Sequence, residues 1–226
     1  MRNNVIAAIL FAFALPIISC STVDNKAPEA LAAKKIAVPK SRKPAKRSLA
    51  ERTDKNSHKA PALNSRANEI SHYASQHGYS TKYCFLIDMS IPSGRNRFFV
   101  YDLEDNSVAY SGLVAHGCCN ETFLSHPKFS NSSNSGCSSL GKYKVGAFYN
   151  GKYGASYRLY GLENSNSNAF QRGVVIHGYD CVPDKEIYPM VLCNSMGCPM
   201  VSYNFFDRLS HIIDHSEKPI VLWIYR

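Results

Sequence analysis

The sequence has no apolar run long enough to cross a membrane comfortably, no internal repeat, no C-x-x-C pair and a single tryptophan in 226 residues. The missing span excludes an ordinary transmembrane anchor, and the missing repeat excludes a solenoid or propeller. Without a C-x-x-C pair the usual structural zinc patterns are lost. Charge is also scarce where it would matter most. The chain carries a formal +9, with 26 Lys+Arg against 17 Asp+Glu, which invites a nucleic-acid reading. Residues 24–63 hold 11 basic and 4 acidic side chains, whereas residues 64–226 hold 14 and 13. The excess belongs to a tail, the remainder is nearly neutral, and no nucleic-acid partner is expected.

What is present begins with an address. Met1-Arg2-Asn3-Asn4 is a short basic head, and residues 5–18 are almost wholly apolar, which suits a signal-peptide core. The run ends Ile17-Ile18-Ser19-Cys20-Ser21, which resembles a bacterial lipobox. Residues 1–20 therefore read as a lipoprotein signal with Cys20 as the lipidated residue. An ordinary secretory signal is the plainer alternative. Residues 21–63, rich in Pro, Ala and Lys, read as a disordered basic tether. The protein is expected to be exported, lipid-anchored on the periplasmic side of a bacterial envelope, and monomeric.

Residues 64–226 read as one folded domain, mainly β with a few short helices. The 45% hydrophobic content can build a core, and 14 Tyr with 11 Phe favour strands. Apolar spacing predicts a helix over 64–79 stopped by Gly78, and strands at 83–91, 97–103, 108–115, 141–149, 156–162, 173–177 and 220–225. A second amphipathic helix is predicted from an Asn204 cap, with Phe205, Leu209, Ile212 and Ile213 on its apolar face. Residues 117–140 show no periodicity and contain Cys118, Cys119 and Cys137. A loop of that length covers a site or is pinned by cross-links.

Two segments carry chemistry. Val175-Ile176-His177-Gly178 delivers a histidine at a strand end, and Ser195-Met196-Gly197-Cys198-Pro199 sets a cysteine directly after a glycine. A cysteine nucleophile needs a base nearby and backbone N–H groups for the oxyanion. These segments resemble the catalytic domain of L,D-transpeptidases, cysteine enzymes that remodel peptidoglycan, and most nearly the murein L,D-transpeptidase subfamily. Collinear segments strengthen the likeness: Val114-Ala115-His116-Gly117, Phe129-Ser130-Asn131, Ser138-Ser139-Leu140-Gly141, Tyr143, Arg158-Leu159-Tyr160-Gly161-Leu162, Asn168-Ala169 and Arg172. Pro199 and Met200 follow Cys198 where the wider family often has Arg or Asn two positions on.

The resemblance implies an L,D-transpeptidase-like β-sandwich with a cleft. It makes Cys198 the nucleophile, His177 the base, and the Gly197 and Cys198 amides the oxyanion hole. Ser195 and Gly178 would line the site. Arg172, Arg158 and His116 are candidates for contacting a stem peptide of peptidoglycan, although a framework role is equally open for His116 and pairing with Asp or Glu inside the fold is the commoner use of an arginine. The bond attacked would precede a terminal D-Ala. The acyl group would pass to another stem amine, giving a 3–3 cross-link, or to water. No cofactor is implied. A zinc set of His177, Cys181, Cys193 and Cys198 is the weaker alternative for these side chains. The rival for the whole chain is a wall-binding lipoprotein without turnover. With Cys20 and Cys198 set aside, Cys84, Cys118, Cys119, Cys137, Cys181 and Cys193 are left to pair, with some bonds expected to pin the 117–140 loop.

Overall fold

The computed structural model describes residues 59–226, with side chains from residue 62. The signal segment, Cys20 and nearly all of the tether lie outside the described residues. The element order is α1 (Lys59–His77), β1 (Tyr83–Asp88), β2 (Phe98–Asp102), β3 (Ser107–Gly112), β4 (Gly141–Gly151) and β5 (Gly154–Gly161). β6 (Val175–Gly178), β7 (Met200–Val201), α2 (Tyr203–Asp214) and β8 (Val221–Tyr225) complete it.

All eight strands form one sheet, in the order β3-β2-β1-β8-β4-β5-β6-β7. Its two outer strands meet. Just beyond β3, Ala115 pairs antiparallel with Met200 of β7, and the Ala115 N–H reaches the Met200 carbonyl at 2.8 Å. The sandwich-like layering thus comes from a single sheet curled almost into a barrel.

Period-two alternation decides what each face buries. On β1, Phe85 and Ile87 join Tyr143, Leu159, Ile176 and Leu222 in one core with Phe205, Phe206 and Leu209 of α2. Cys84 and Leu86 point the other way, into a second core with Ala67 and Ile70 of α1 and Trp223. The central strands are therefore covered on both faces, which is why they read as unbroken apolar runs. Lys142 fastens α1 to the sheet, with its ammonium 2.9 Å from Glu69 and 4.1 Å from the Trp223 ring centroid. Gly78, at φ +74°, ends α1 as expected, and the Tyr79 N–H turns back to the Ala74 carbonyl.

The second helix corrects one expectation. Its cap is Ser202, not Asn204. Ser202 is the last extended residue after β7, and its Oγ accepts from the Phe205 N–H at 3.2 Å. Asn204 instead donates to Asp184 from the first turn. Ser202→Ala should cost about 1 kcal/mol in chemical denaturation, while Asn204→Ala should stay within about 0.5 kcal/mol of wild type.

Candidate active site

β6 brings His177 to the site, and the turn leading into β7, a strand that sequence periodicity did not reveal, brings Cys198 to the same cavity. His177 pairs in parallel register with Met200, and its N–H reaches the Pro199 carbonyl at 3.4 Å. Two residues before Met200, Cys198 leaves the ladder. His177 and Cys198 then line one cavity of about 150 Å³ with Ser195, Asn194, Met196, Met200, Tyr153 and Tyr179.

His177 is almost wholly buried, and its Nδ1 lies 3.1 Å from the Gly178 carbonyl. A carbonyl only accepts, so Nδ1 carries the proton and Nε2 is left with a lone pair. Burial lowers the pKa of His177, and the Gly178 carbonyl opposes this in part. The imidazole is thus neutral, with its basic nitrogen defined. Tyr153, between Gly151 and Gly154 at the tip of the β4–β5 hairpin, stacks on the ring with centroids 4.6 Å apart. Nothing in the periodicity marked Tyr153; only the two flanking glycines announced a tight turn.

Cys198 is a free, half-buried thiol. Burial pushes its pKa up, and a hydrogen bond from the Val175 backbone with the charge of Arg172 pulls it partly back. At rest it is a thiol and needs a base. Gly197 before it sits at φ +110°, and a Cβ there would come 2.6 Å from the Cys137 carbonyl oxygen. Only glycine fits this turn. Its N–H, expected in the oxyanion hole, donates to Ser195 Oγ at 3.0 Å. Ser195 is buried in the cavity wall and held by main-chain bonds to His116 and Cys118.

The other candidates separate. Gly178 contributes the carbonyl that fixes the His177 tautomer, and its Cα faces the Tyr203 ring closely enough to exclude a side chain. His116 is buried with both nitrogens engaged, Nδ1 with Arg97 at 2.9 Å and Nε2 with the Leu124 carbonyl at 3.0 Å. Burial and the Arg97 charge hold its pKa at about 4. It is a framework histidine. Arg172 spends its guanidinium on the Ser130 and Cys137 carbonyls and Ser139 Oγ, stitching the 117–140 loop against the Gly197 turn. Arg158 lies over the Tyr149 ring at 4.0 Å, is absent from the cavity lining, and makes none of the described salt bridges.

The cysteines divide otherwise than a fully paired set of six. Cys119–Cys137 closes the 117–140 loop and Cys181–Cys193 staples the segment before Asn194. The second bond takes two members of the zinc set out of use. Cys84 stays free because it lies in the core beneath α1, and Cys118 is free with its Sγ 3.6 Å from Met196 Sδ. Non-reducing peptide mapping of the described region should find those two bonds and free thiols at Cys84, Cys118 and Cys198. Gly197→Ala should cost about 1–3 kcal/mol from the forced backbone. It should also slow thiol acylation roughly 10²-fold by displacing Cys198.

No curated protein matches the chain. Among solved structures, an L,D-transpeptidase from Xylanimonas cellulosilytica is 13% identical, with a TM-score of 0.36, over 68% of this chain and 68% of that one. The helical cell shape determining protein Pgp2 from Campylobacter jejuni is 15% identical, with a TM-score of 0.37, over 64% of this chain and 47% of that one. An L,D-transpeptidase from Mycobacterium tuberculosis is 12% identical, with a TM-score of 0.34, over 64% of this chain and 58% of that one. This chain spans less than two thirds of the last two. In sequence, the family model of the L,D-transpeptidase catalytic domain matches residues 54–225. That match takes in both core-forming helices, all eight strands and the two cavity-lining segments, and the chain belongs to the L,D-transpeptidase catalytic domain family.

Proposed function

We propose that the protein is a cysteine L,D-transpeptidase or L,D-carboxypeptidase acting on peptidoglycan stem peptides. The observation that carries the reading is the His177 tautomer. Gly178 holds the proton on Nδ1, which leaves Nε2 as the basic nitrogen of a histidine that lines the same cavity as Cys198. Nε2 takes the Cys198 proton as the sulfur attacks the carbonyl before the terminal D-Ala. The C–N bond then breaks, and the protonated His177 returns its proton to the leaving D-Ala amine. The oxyanion is received by the Cys198 amide. The Gly197 N–H is engaged by Ser195 Oγ, which leaves the Ser195 hydroxyl proton available as a second donor. The thioester passes to the amine of another stem peptide, giving a 3–3 cross-link, or to water.

The same reading puts the domain outside the cytoplasm, tethered to a membrane through lipidated Cys20 by the segment ahead of α1, which begins at Lys59 rather than at residue 64. It acts there as a monomer.

Mass spectrometry of the protein with a disaccharide-tetrapeptide tests the chemistry. Wild type should release D-Ala and form a tripeptide or a 3–3 dimer, and Cys198→Ala should form neither product nor acyl-enzyme. Product from Cys198→Ala would overturn the assignment. Folded wild type with a free Cys198 thiol and no product would favour a wall-binding protein without turnover. His177→Ala should slow acylation by roughly 10²–10⁴-fold. Since the base works only when neutral, kcat/KM should rise with pH through the His177 pKa. Burial places that midpoint below the ordinary histidine value of about 6.5.

A further inference from the structure

Arg97 is fully buried and makes no salt bridge among the described residues. The Asp88 charge favours its cation from beyond ion-pair distance, but burying a guanidinium is still costly unless its donors are satisfied. Here they are, by acceptors on separate turns. Nε and Nη2 grip the Val114 carbonyl at 2.9 and 2.7 Å, Nη1 reaches the Ile91 carbonyl at 3.2 Å, and Nη2 also meets His116 Nδ1 at 2.9 Å.

From His116 two paths lead to the segment bearing Cys198. Through the ring, Nε2–H donates to the Leu124 carbonyl. Leu124 is locked in turn to Asn194, whose Oδ1 accepts from the Leu124 N–H at 2.6 Å while its Nδ2 donates to the Leu124 carbonyl at 2.9 Å. Through the main chain, the His116 carbonyl accepts from the Ser195 N–H at 2.9 Å, and Ser195 Oγ takes the Gly197 N–H. A branch from Gly117 runs through Ser138 Oγ to the Gly197 carbonyl.

We propose that Arg97 and His116 are a positioning pair for the reaction, setting residues 194–198 so that Cys198 and the groups around it hold their reactive geometry. The inference rests on the reading of Cys198 as nucleophile. A core residue of similar volume would fill the space, but only a rigid fork of donors can fix two carbonyls and an imidazole together. Lysine, with the same charge, cannot. His116 touches no reacting atom. Its protonated form would face Arg97, and its Nε2 proton is already committed to Leu124, so it serves as a neutral strut and not as a second base.

The test compares Arg97→Lys, His116→Phe, His116→Gln and Cys198→Ala in the full chain, with kcat and KM for D-Ala release measured well below each variant's melting temperature. Arg97→Lys and His116→Phe should lower kcat roughly 10²-fold with KM little changed. His116→Gln, which keeps a donor for the Leu124 carbonyl, should recover most of the loss and leave the acidic limb of the pH profile where it was. A folded His116→Phe with kcat within about threefold of wild type would overturn the pair, as would loss of that acidic limb in His116→Gln. If His116→Phe does not fold, Asn194→Leu interrupts the ring path from a half-buried position. It should lower kcat roughly tenfold, and full activity there would equally overturn the proposal. D-Ala release by Cys198→Ala would instead bring down the nucleophile assignment, and this inference with it.

Discussion

Met200 is paired on both sides, and the site depends on that seam. On one side it runs parallel to His177, and on the other it bridges Ala115, where the curled sheet closes on itself. His177 and Cys198 are 21 residues apart in sequence, and two residues of ladder bring them to one cavity. A strand so short supplies little pairing of its own. Its register is kept by what surrounds it: the Cys181–Cys193 staple before it, Ser202 capping α2 just after it, and the Arg97-anchored turn across the seam.

Two histidines near this seam show how surroundings decide chemistry. Both are buried, and burial favours the neutral form of each. In His116 a cation on one nitrogen and a carbonyl on the other leave nothing to offer a substrate. In His177 a carbonyl fixes one nitrogen and leaves the second with its lone pair. Each is followed by glycine, so that dipeptide alone could not tell them apart; the surrounding motif separated them.

Much of the fold was legible. The runs that became β1, β2, β4, β5 and β8 are apolar on one or both faces, so periodicity placed them within a few residues. Gly78 ended α1 because its positive φ is a local property. The misreadings come from tertiary context. Met200–Val201 is too short for any period, so Ser202 was not seen as the residue leaving a strand, and Asn204 took its place as cap. Arg158 and Arg172 carried the right chemistry for a carboxylate. The structure commits one to an aromatic face and the other to loop carbonyls, partners that no local spacing encodes. Cys198 and His177, which line one cavity, were singled out because their neighbours carry a motif, whereas Arg97 and Asn194 lie in segments that look like ordinary strand and loop.

The Cys198 environment bears on durability. It is the thiolate that attacks oxidants and stray disulfides, and a thiol kept protonated by burial does so slowly. A chain that carries two disulfides and a free half-buried Cys118 nearby is exposed to thiol exchange as it folds and works. In the proposed function, a proton kept on sulfur until a peptide fills the cavity leaves the residue chemically silent between turnovers, and reactivity is a property of the occupied site.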